Sequence, residues 1–231
     1  MKYLASPAAG ELRRQLLLQW FPQNSRIFPW REYTSPWHVL LAEMLLLRTR
    51  AENVAKHIGA LIERFPTAEA MASEELNAIE EALRPLGLRW RAHRLHELSR
   101  VIVRSYGGRV PLERKALLNL PGVGPYIAST TLSKLAGQKV LLTDTNTVRV
   151  AKRVAGVKLE GDLRRRKVVQ EGIASLMNGP VGIVEWLAIL DLGATVCRPR
   201  NPLCPECPIV KLCIYGKHQV RSPLVGEALA Y

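Results

Sequence analysis

The sequence lacks an apolar run long enough to cross a membrane. Its longest apolar stretch, WHVLLAEMLLL at residues 37–47, is interrupted by Glu43, whereas a membrane-spanning helix needs about 20 apolar residues. The first residues also lack the basic start, apolar core and cleavage site of a secretory signal peptide. We therefore expect no membrane association and a location in the cytoplasm or nucleoid, or in the nucleus if the source is eukaryotic.

Acidic residues are scarce relative to basic ones. The 231 residues include 33 Lys and Arg against 20 Asp and Glu, which gives a formal net charge of +13. The basic residues are spread along the chain, as in RWRAHRLHELSR at residues 89–100, and do not form a tail. A folded protein with this charge most often binds a polyanion, with nucleic acid the default partner. A solvated, highly charged surface without such a partner is the alternative.

Strand-like alternation, repeats of fixed period and linkers are also missing. Hydrophobic residues follow helical spacing instead, and two helices are predicted to begin with Ser-Pro, at Ser6 and Ser35, since serine is a favoured N-cap and proline a favoured first helical residue. Further helices are predicted over residues 51–64, 73–84, 90–106, 113–119, 125–136, 145–155, 163–177 and 181–196. The predicted fold class is all-α.

Cysteine occurs only in the stretch CRPRNPLCPECPIVKLC. Its four members, with the spacing C-x6-C-x2-C-x5-C, are Cys197, Cys204, Cys207 and Cys213. Four thiols this close in the chain can surround one metal centre, and no cysteine remains elsewhere for a disulfide. A four-thiolate zinc site and an iron–sulfur cluster are both open, although the wide and uneven gaps favour the larger cluster.

The stretch LPGVGPY, residues 120–126, places two glycines between two predicted helices. Glycine permits tight backbone angles and leaves its amide uncovered. We expect the amides of Gly122, Val123 and Gly124, with the first N–H groups of the next helix, to bind a DNA phosphate. Such a contact positions DNA without reading its sequence. Val123 is expected to anchor the turn in the core, and an ordinary helix–turn–helix is the alternative.

Two carboxylates are candidate catalytic groups. Glu43 is surrounded in its helix by leucine and methionine, and because an unpaired buried charge is costly, we expect it to face a cleft or a charged partner. Such a carboxyl often has a raised pKa and can act as an acid, while a core salt bridge is the alternative. Asp144, in TDTNTVRV, is a favoured helix N-cap as well as a free carboxylate.

The Leu-Pro-Gly-Val-Gly turn, Asp144 and the cysteine spacing together resemble the helix-hairpin-helix DNA glycosylases of the endonuclease III superfamily, over about residues 28–213. The resemblance implies two helical lobes with double-stranded DNA in the cleft between them. One lobe is a six-helix barrel at residues 28–137 that contains the hairpin at 120–125. The other combines residues 1–27 and 138–231, and the resemblance implies that its four cysteines hold a 4Fe–4S cluster and not zinc.

The resemblance also implies roles for single residues. Asp144 matches the catalytic aspartate, whose charge stabilises the oxocarbenium-like sugar or orients water. Glu43 falls where adenine- and mismatch-specific members carry a glutamate that faces the extruded base. Tyr126 occupies the position of the lysine with which endonuclease III-like enzymes form a Schiff base and cut the strand. Because a phenol cannot form an imine, we expect base removal without lyase activity.

Two subfamilies with tyrosine at this position remain open. One removes adenine opposite oxidised guanine, and the other removes thymine or uracil mispaired with guanine. Arg48 stands where the adenine enzymes typically have glutamine and Leu88 where they have tyrosine, and the chain ends about 18 residues after Cys213, before any domain that senses oxidised guanine. We therefore predict base excision repair of G:T and G:U mispairs by a monomer, with Arg48 and Leu88 filling the gap left by the extruded nucleotide. An adenine glycosylase and a non-catalytic DNA-binding protein are the alternatives.

Overall fold

The computed structural model describes residues 6–87, 90–140, 143–156 and 167–221. These ranges consist of α-helices, short 3₁₀ turns and loops, and they contain no β-strand. One isolated antiparallel bridge joins Val140 and Val181. The predicted all-α fold class is confirmed. In the described ranges, no helix has both the length and the apolar character needed to cross a membrane.

The helices lie close to the predicted segments. Their bounds are α1 Pro7–Asn24, α2 Pro36–Leu46, α3 Ala51–Arg64, α4 Ala68–Ala72, α5 Leu76–Leu83, α6 Trp90–Tyr106, α7 Arg114–Leu118, α8 Pro125–Ala136, α9 Thr145–Ala155, α10 Lys167–Leu176, α11 Ile183–Thr195 and α12 Ile214–Arg221. Ser6 caps α1 by accepting a hydrogen bond from the Ala9 amide at 3.4 Å. Ser35 precedes α2 but its side chain makes no cap bond.

Two helices were not predicted from the sequence. The first, α4, has five residues, too few to show a helical period, and it begins because the Thr67 hydroxyl accepts a hydrogen bond from the Ala70 amide at 3.2 Å. The second, α12, has the polar sequence IYGKHQVR, whose weak pattern does not indicate a helix. It packs against α9, where Ile214 lies beside Gly156.

The chain divides into two compact units. Ile27–Gln138, which we call the hairpin unit, contains α2 to α8. The described parts of Met1–Arg26 and Lys139–Tyr231, which we call the cysteine unit, contain α1 and α9 to α12. In the cysteine unit α9 packs against α10, α11 and α12, and α1 packs against α11.

The core of the hairpin unit is organised around α2. Seven of its eleven residues are buried, namely Trp37, Val39, Leu40, Leu41, Ala42, Met44 and Leu45. A helix that is apolar on most sides must be covered on most sides, and α2 accordingly packs against both α3 and α8. The one acidic residue of α2, Glu43, lies among these buried residues and is itself only partly exposed.

Candidate active site

Glu43 is a partly exposed carboxyl group on the apolar helix α2 of the hairpin unit. Part of its side chain reaches solvent, but burial raises its pKa to about 7, and the positive charge of Lys134 partly opposes that rise. The rise in pKa expected from the sequence is thus present. A group with a pKa near 7 can donate or accept a proton at neutral pH, as a general acid or base must.

Lys134 is the charged neighbour of Glu43, and the sequence did not single it out. Its Nζ donates hydrogen bonds to the backbone carbonyl oxygens of Trp30 and Arg31, the latter at 3.0 Å. Burial lowers the pKa of Lys134, whereas the negative charges of Glu43 and Glu32 raise it. The lysine lies near the end of α8 and is close to Glu43 only because α8 packs on α2.

Tyr126 is the second residue of α8. The ring is half-buried and packs against the core of the hairpin unit, and the Tyr126 carbonyl accepts a hydrogen bond from Thr130 Oγ1 at 3.0 Å. Tyr126, Thr130 and Lys134 are spaced by four residues, so they share one face of α8. This spacing is the sequence signal by which Lys134 could have been found.

The hairpin between α7 and α8 needs its first glycine for two reasons. Gly122 has a φ of +81°, in the left-handed region that other residues rarely adopt. A Cβ at this position would also lie 2.5 Å from Cδ of Arg94 and 2.8 Å from Cε of Met44. Gly122 is therefore required by the local fold, whether or not DNA is present.

Val123 and Gly124 differ in how their backbones could contact a phosphate. Val123 is only 5% exposed, so it anchors the turn as predicted. Its amide, however, donates to the Leu120 carbonyl at 3.1 Å and so already has a partner. Gly124 is the extended N-cap residue of α8, and a Cβ there would meet nothing within 4 Å. The predicted phosphate site is thereby reduced to the amides of Gly122 and Gly124 and the first turn of α8.

Of the two predicted wedge residues, Arg48 is among the described residues. Arg48 is exposed in the short connection between α2 and α3, with a φ of +57°. Few residues other than glycine adopt such an angle. Leu88 lies outside the described residues, so its expected role stays a prediction.

Asp144 is the N-cap of α9 and part of a reciprocal capping box. Its Oδ1 accepts a hydrogen bond from the Thr147 amide at 2.7 Å, and its own amide donates to Thr147 Oγ1 at 2.9 Å. The second carboxylate oxygen, Oδ2, accepts from Asn146 Nδ2 at 3.3 Å. The residue is partly exposed. Capping therefore orients the carboxylate and leaves part of it accessible.

Asn146 is oriented in turn by Arg149, and the sequence prediction included neither residue. Arg149 Nη2 donates to Asn146 Oδ1 and to the Gly193 carbonyl, both at 2.6 Å, and its Nε donates to the Cys197 carbonyl at 2.8 Å. A Cβ on Gly193 would come within 2.7 Å of Asn146 Cβ, so glycine permits this close approach of α11 to α9. A chain of hydrogen bonds thus runs from Asp144 to the backbone of the first cysteine.

The four cysteines influence one another electrostatically. Burial, with the nearby Cys197 and Cys204 thiols, raises the pKa of Cys207 to about 12 and that of Cys213 to about 11. All four are free thiols, and Cys204 and Cys213 are buried. Within the described ranges, no group of three or more His, Cys, Asp or Glu side chains is arranged around a single metal ion, whereas a cluster of several metal atoms spaces its cysteine ligands more widely.

The sulfur atoms are nevertheless approached by hydrogen-bond donors. Arg153 Nη1 lies 3.3 Å from Cys197 Sγ, and the Gly216 amide lies 3.3 Å from Cys213 Sγ. The Arg153 guanidinium also lies over the Tyr215 ring, 4.9 Å from its centroid. Donors aimed at sulfur stabilise thiolates, which is the ligand form of cysteine in metal centres. This donor set fits a thiolate-bound centre.

Residues 41–174 match the family described as HhH-GPD superfamily base excision DNA repair protein, and the chain belongs to this family. The membership predicted from the hairpin, Asp144 and the cysteine spacing is confirmed.

Relatives cover nearly the whole chain. The thymine-DNA glycosylase of Aeropyrum pernix is 36% identical over 93% of this chain and 98% of its own length. The thymine/uracil-DNA glycosylase of Methanothermobacter thermautotrophicus is 35% identical over 86% of this chain and 90% of its own. The solved structure of a thermostable thymine-DNA glycosylase superposes with a TM-score of 0.83, at 32% identity, over 91% of this chain and 98% of that one. The chain is accordingly a DNA glycosylase of base excision repair.

Proposed function

We propose that the protein is a monofunctional glycosylase that hydrolyses the N-glycosidic bond of thymine or uracil mispaired with guanine. The observation that carries the proposal is Tyr126 on α8, the helix that packs on α2, whose Glu43 carboxyl has a pKa of about 7. This arrangement supplies a proton-transfer group and puts a phenol where a lyase needs an amine. The thymine and uracil specificity of the relatives supports the choice of base.

DNA binding begins with backbone phosphates. The amides of Gly122 and Gly124 and the first turn of α8 bind one phosphate, and the net charge of +13 attracts the duplex over longer distances. The mispaired nucleotide is then extruded, at a cost of a few kcal/mol that is lowest at a mismatch. Arg48 occupies the gap, with Leu88 as its expected companion. We expect one protein molecule to act on one mispair, in the cytoplasm or nucleoid.

Glu43 acts on the base. In its protonated form it donates a hydrogen bond to the pyrimidine, which becomes a better leaving group as negative charge develops on it. Lys134 keeps the pKa of Glu43 from rising further, so that both protonation states are populated near pH 7.

Asp144 acts on the sugar. Departure of the base leaves positive charge on the sugar, and a carboxylate held in a fixed orientation stabilises that charge or aligns water. The capping box and Asn146 restrict rotation of the carboxylate, so it requires little reorganisation during the reaction.

Tyr126 determines whether the reaction stops after base removal or continues to strand cleavage. Its phenol lines the site without forming a covalent bond to the sugar, so the strand stays intact at the abasic site. Borohydride should therefore trap no covalent complex with the wild-type protein. Tyr126→Lys should introduce trapping, because a primary amine forms a reducible imine with the opened sugar. Trapping by the wild-type enzyme would refute the monofunctional assignment.

The four cysteines are proposed to hold a 4Fe–4S cluster. When bound, the cluster supplies redox-active iron, but none of the steps above requires it, and we assign it a structural role. The donors from Arg153 and Gly216 to the cysteine sulfurs support a thiolate-ligated group here. A brown colour with visible absorbance, lost after Cys207→Ser, would support the cluster, whereas a colourless protein containing zinc would refute it.

A panel of mispaired duplexes tests the choice of base. Each duplex is incubated with the protein and then cleaved at abasic sites with alkali. We expect release of thymine from G:T and uracil from G:U mispairs. Release of adenine alone, from A:G or A:8-oxoguanine, would instead establish the alternative adenine glycosylase.

A further inference from the structure

The connection between α2 and α3 holds one residue in an unusual conformation. Arg48 has a φ of +57°, which disfavours a residue with a Cβ. Its side chain is exposed, so no burial of its own stabilises this angle. The surrounding structure must therefore hold the backbone in place.

Arg91, from the first turn of α6, makes those contacts. Its Nη1 donates to the Leu45 carbonyl at 2.7 Å and its Nη2 donates to the Leu47 carbonyl. Both nitrogens also lie 3.0 Å from Thr49 Oγ1. The guanidinium thus bonds to the residue before Arg48 and to the residue after it.

Arginine is suited to this position by shape as well as charge. Its planar guanidinium presents several N–H groups in a rigid fork, whereas a lysine ammonium has a single charged nitrogen. The carbonyls of Leu45 and Leu47 lie at the C-terminal end of α2, where the last carbonyls of a helix have no N–H donor within the helix. Arg91 is only 1% exposed, and burial lowers its pKa. A buried guanidinium that bonds to backbone carbonyls, as Arg91 does, is suited to holding that backbone in place.

We propose that Arg91 is a positioning residue that pre-organises Arg48 for insertion into the DNA duplex. The inference rests on the proposed function, in which Arg48 fills the gap left by the extruded base. With the backbone already held at positions 47 and 49, Arg48 enters DNA without the loss of conformational freedom that a mobile loop would incur. Arg91 itself touches no substrate and acts only through Arg48.

A double-mutant cycle tests this inference. Single-turnover base release is measured for the wild type, Arg91→Lys, Arg48→Ala and the double variant, with 2-aminopurine beside the mispair to report extrusion. We expect each single variant to release the base about tenfold more slowly and to give a weaker extrusion signal. A tenfold change lies within the range of interaction energies between directly coupled residues. The double variant should be no slower than Arg48→Ala. Losses that multiply would overturn the inference.

Substitutions at Thr49 provide a second test of Arg91 with a smaller structural change. Thr49→Val removes the hydroxyl that accepts from Arg91 but nearly keeps the shape of the side chain, whereas Thr49→Ser keeps the hydroxyl. We expect valine to weaken the extrusion signal and serine to preserve it. Equal signals for the two variants would contradict the role of Arg91.

Loss of stability is controlled with Ile102→Ala. Ile102 is fully buried on the same helix as Arg91, three turns away, and its truncation should lower the melting temperature while leaving extrusion intact. If Arg48→Ala extrudes and releases thymine at the wild-type rate, the inference fails and the proposed function stands. If the wild type releases only adenine, the proposed function fails, and the same cycle on the adenine mispair still decides the role of Arg91.

Discussion

Glu43 in the hairpin unit and Asp144 in the cysteine unit are carboxyl groups placed by different forces. Glu43 lies in an apolar helix, where burial raises its pKa to about 7. Asp144 lies at a helix N-terminus, where a backbone amide and two side chains hold it through hydrogen bonds. Desolvation controls the proton of the first group, whereas hydrogen bonding controls the orientation of the second. The two carboxyl groups are therefore suited to different chemical roles.

The largest expected effect comes from neutralising Asp144. Asp144→Asn should slow base release about a thousandfold, because charge stabilisation of the sugar is lost. The fold should be unaffected, since asparagine caps a helix as well as aspartate does. Single-turnover rates and the melting temperature measure the two effects separately. A rate equal to that of the wild type would refute a catalytic role for Asp144.

Neutralising Glu43 should affect activity less. Glu43→Gln should slow base release about a hundredfold, because general acid–base catalysis contributes on that scale. The variant keeps a polar side chain of similar size, so binding to a duplex with an uncleavable abasic-site analogue should change little. Glu97→Gln, an exposed neutralisation on α6, is the matched control. A parallel loss of binding and rate in Glu43→Gln would assign Glu43 to DNA binding.

The same carboxyl should make stability depend on pH. Because its pKa is raised from 4.5 to about 7 in the folded protein, the folded state binds more protons than the unfolded state between these values. Its contribution to stability is present below pH 4.5 and is lost as pH rises through 7, by up to about 3 kcal/mol. Denaturant titrations across this range should show the decline in the wild type and in Glu97→Gln. This decline in stability with rising pH should be absent in Glu43→Gln. An unchanged decline in that variant would show that another group causes it.

The smallest expected effect is a shift in the pH–rate profile. The positive charge of Lys134 lowers the pKa of Glu43, so Lys134→Met should raise that pKa and move the midpoint of the profile to higher pH. The direction is the same whether the active form of Glu43 is protonated or ionised. Lys56→Met removes an exposed lysine of the same unit and should leave the midpoint in place. A shift to lower pH in Lys134→Met would contradict the electrostatic link.

Most helices could be predicted from the sequence because their evidence is local. The bounds of α3, α6, α8 and α9 coincide with the predicted segments. Hydrophobic spacing, capping residues and glycines act within a few residues of the chain, and they are visible before any tertiary contact exists. The five-residue α4 and the polar α12 were missed because neither carries a clear period.

The residues that support Glu43 and Arg48 could not be predicted in the same way. Lys134 is 91 residues from Glu43 in the chain, and Arg91 is 44 residues from Leu47. A lysine near a helix end and an arginine in a basic helix both look solvent-exposed in the sequence. Their partners become evident only when α8 packs on α2 and α6 places Arg91 against the end of α2.

The sequence by itself determined the helical class, the family, the anchored hairpin and the candidates Glu43, Tyr126 and Asp144, because these depend on residue type and short spacing. Only the tertiary structure decided the desolvation, the charged neighbours and the long-range hydrogen bonds around these groups. Packing sets the desolvation and the charged neighbours of Glu43, and it brings Arg149 to the carbonyls of Gly193 and Cys197. Burial and long-range hydrogen bonding depend on contacts between distant segments, which a one-dimensional pattern does not contain.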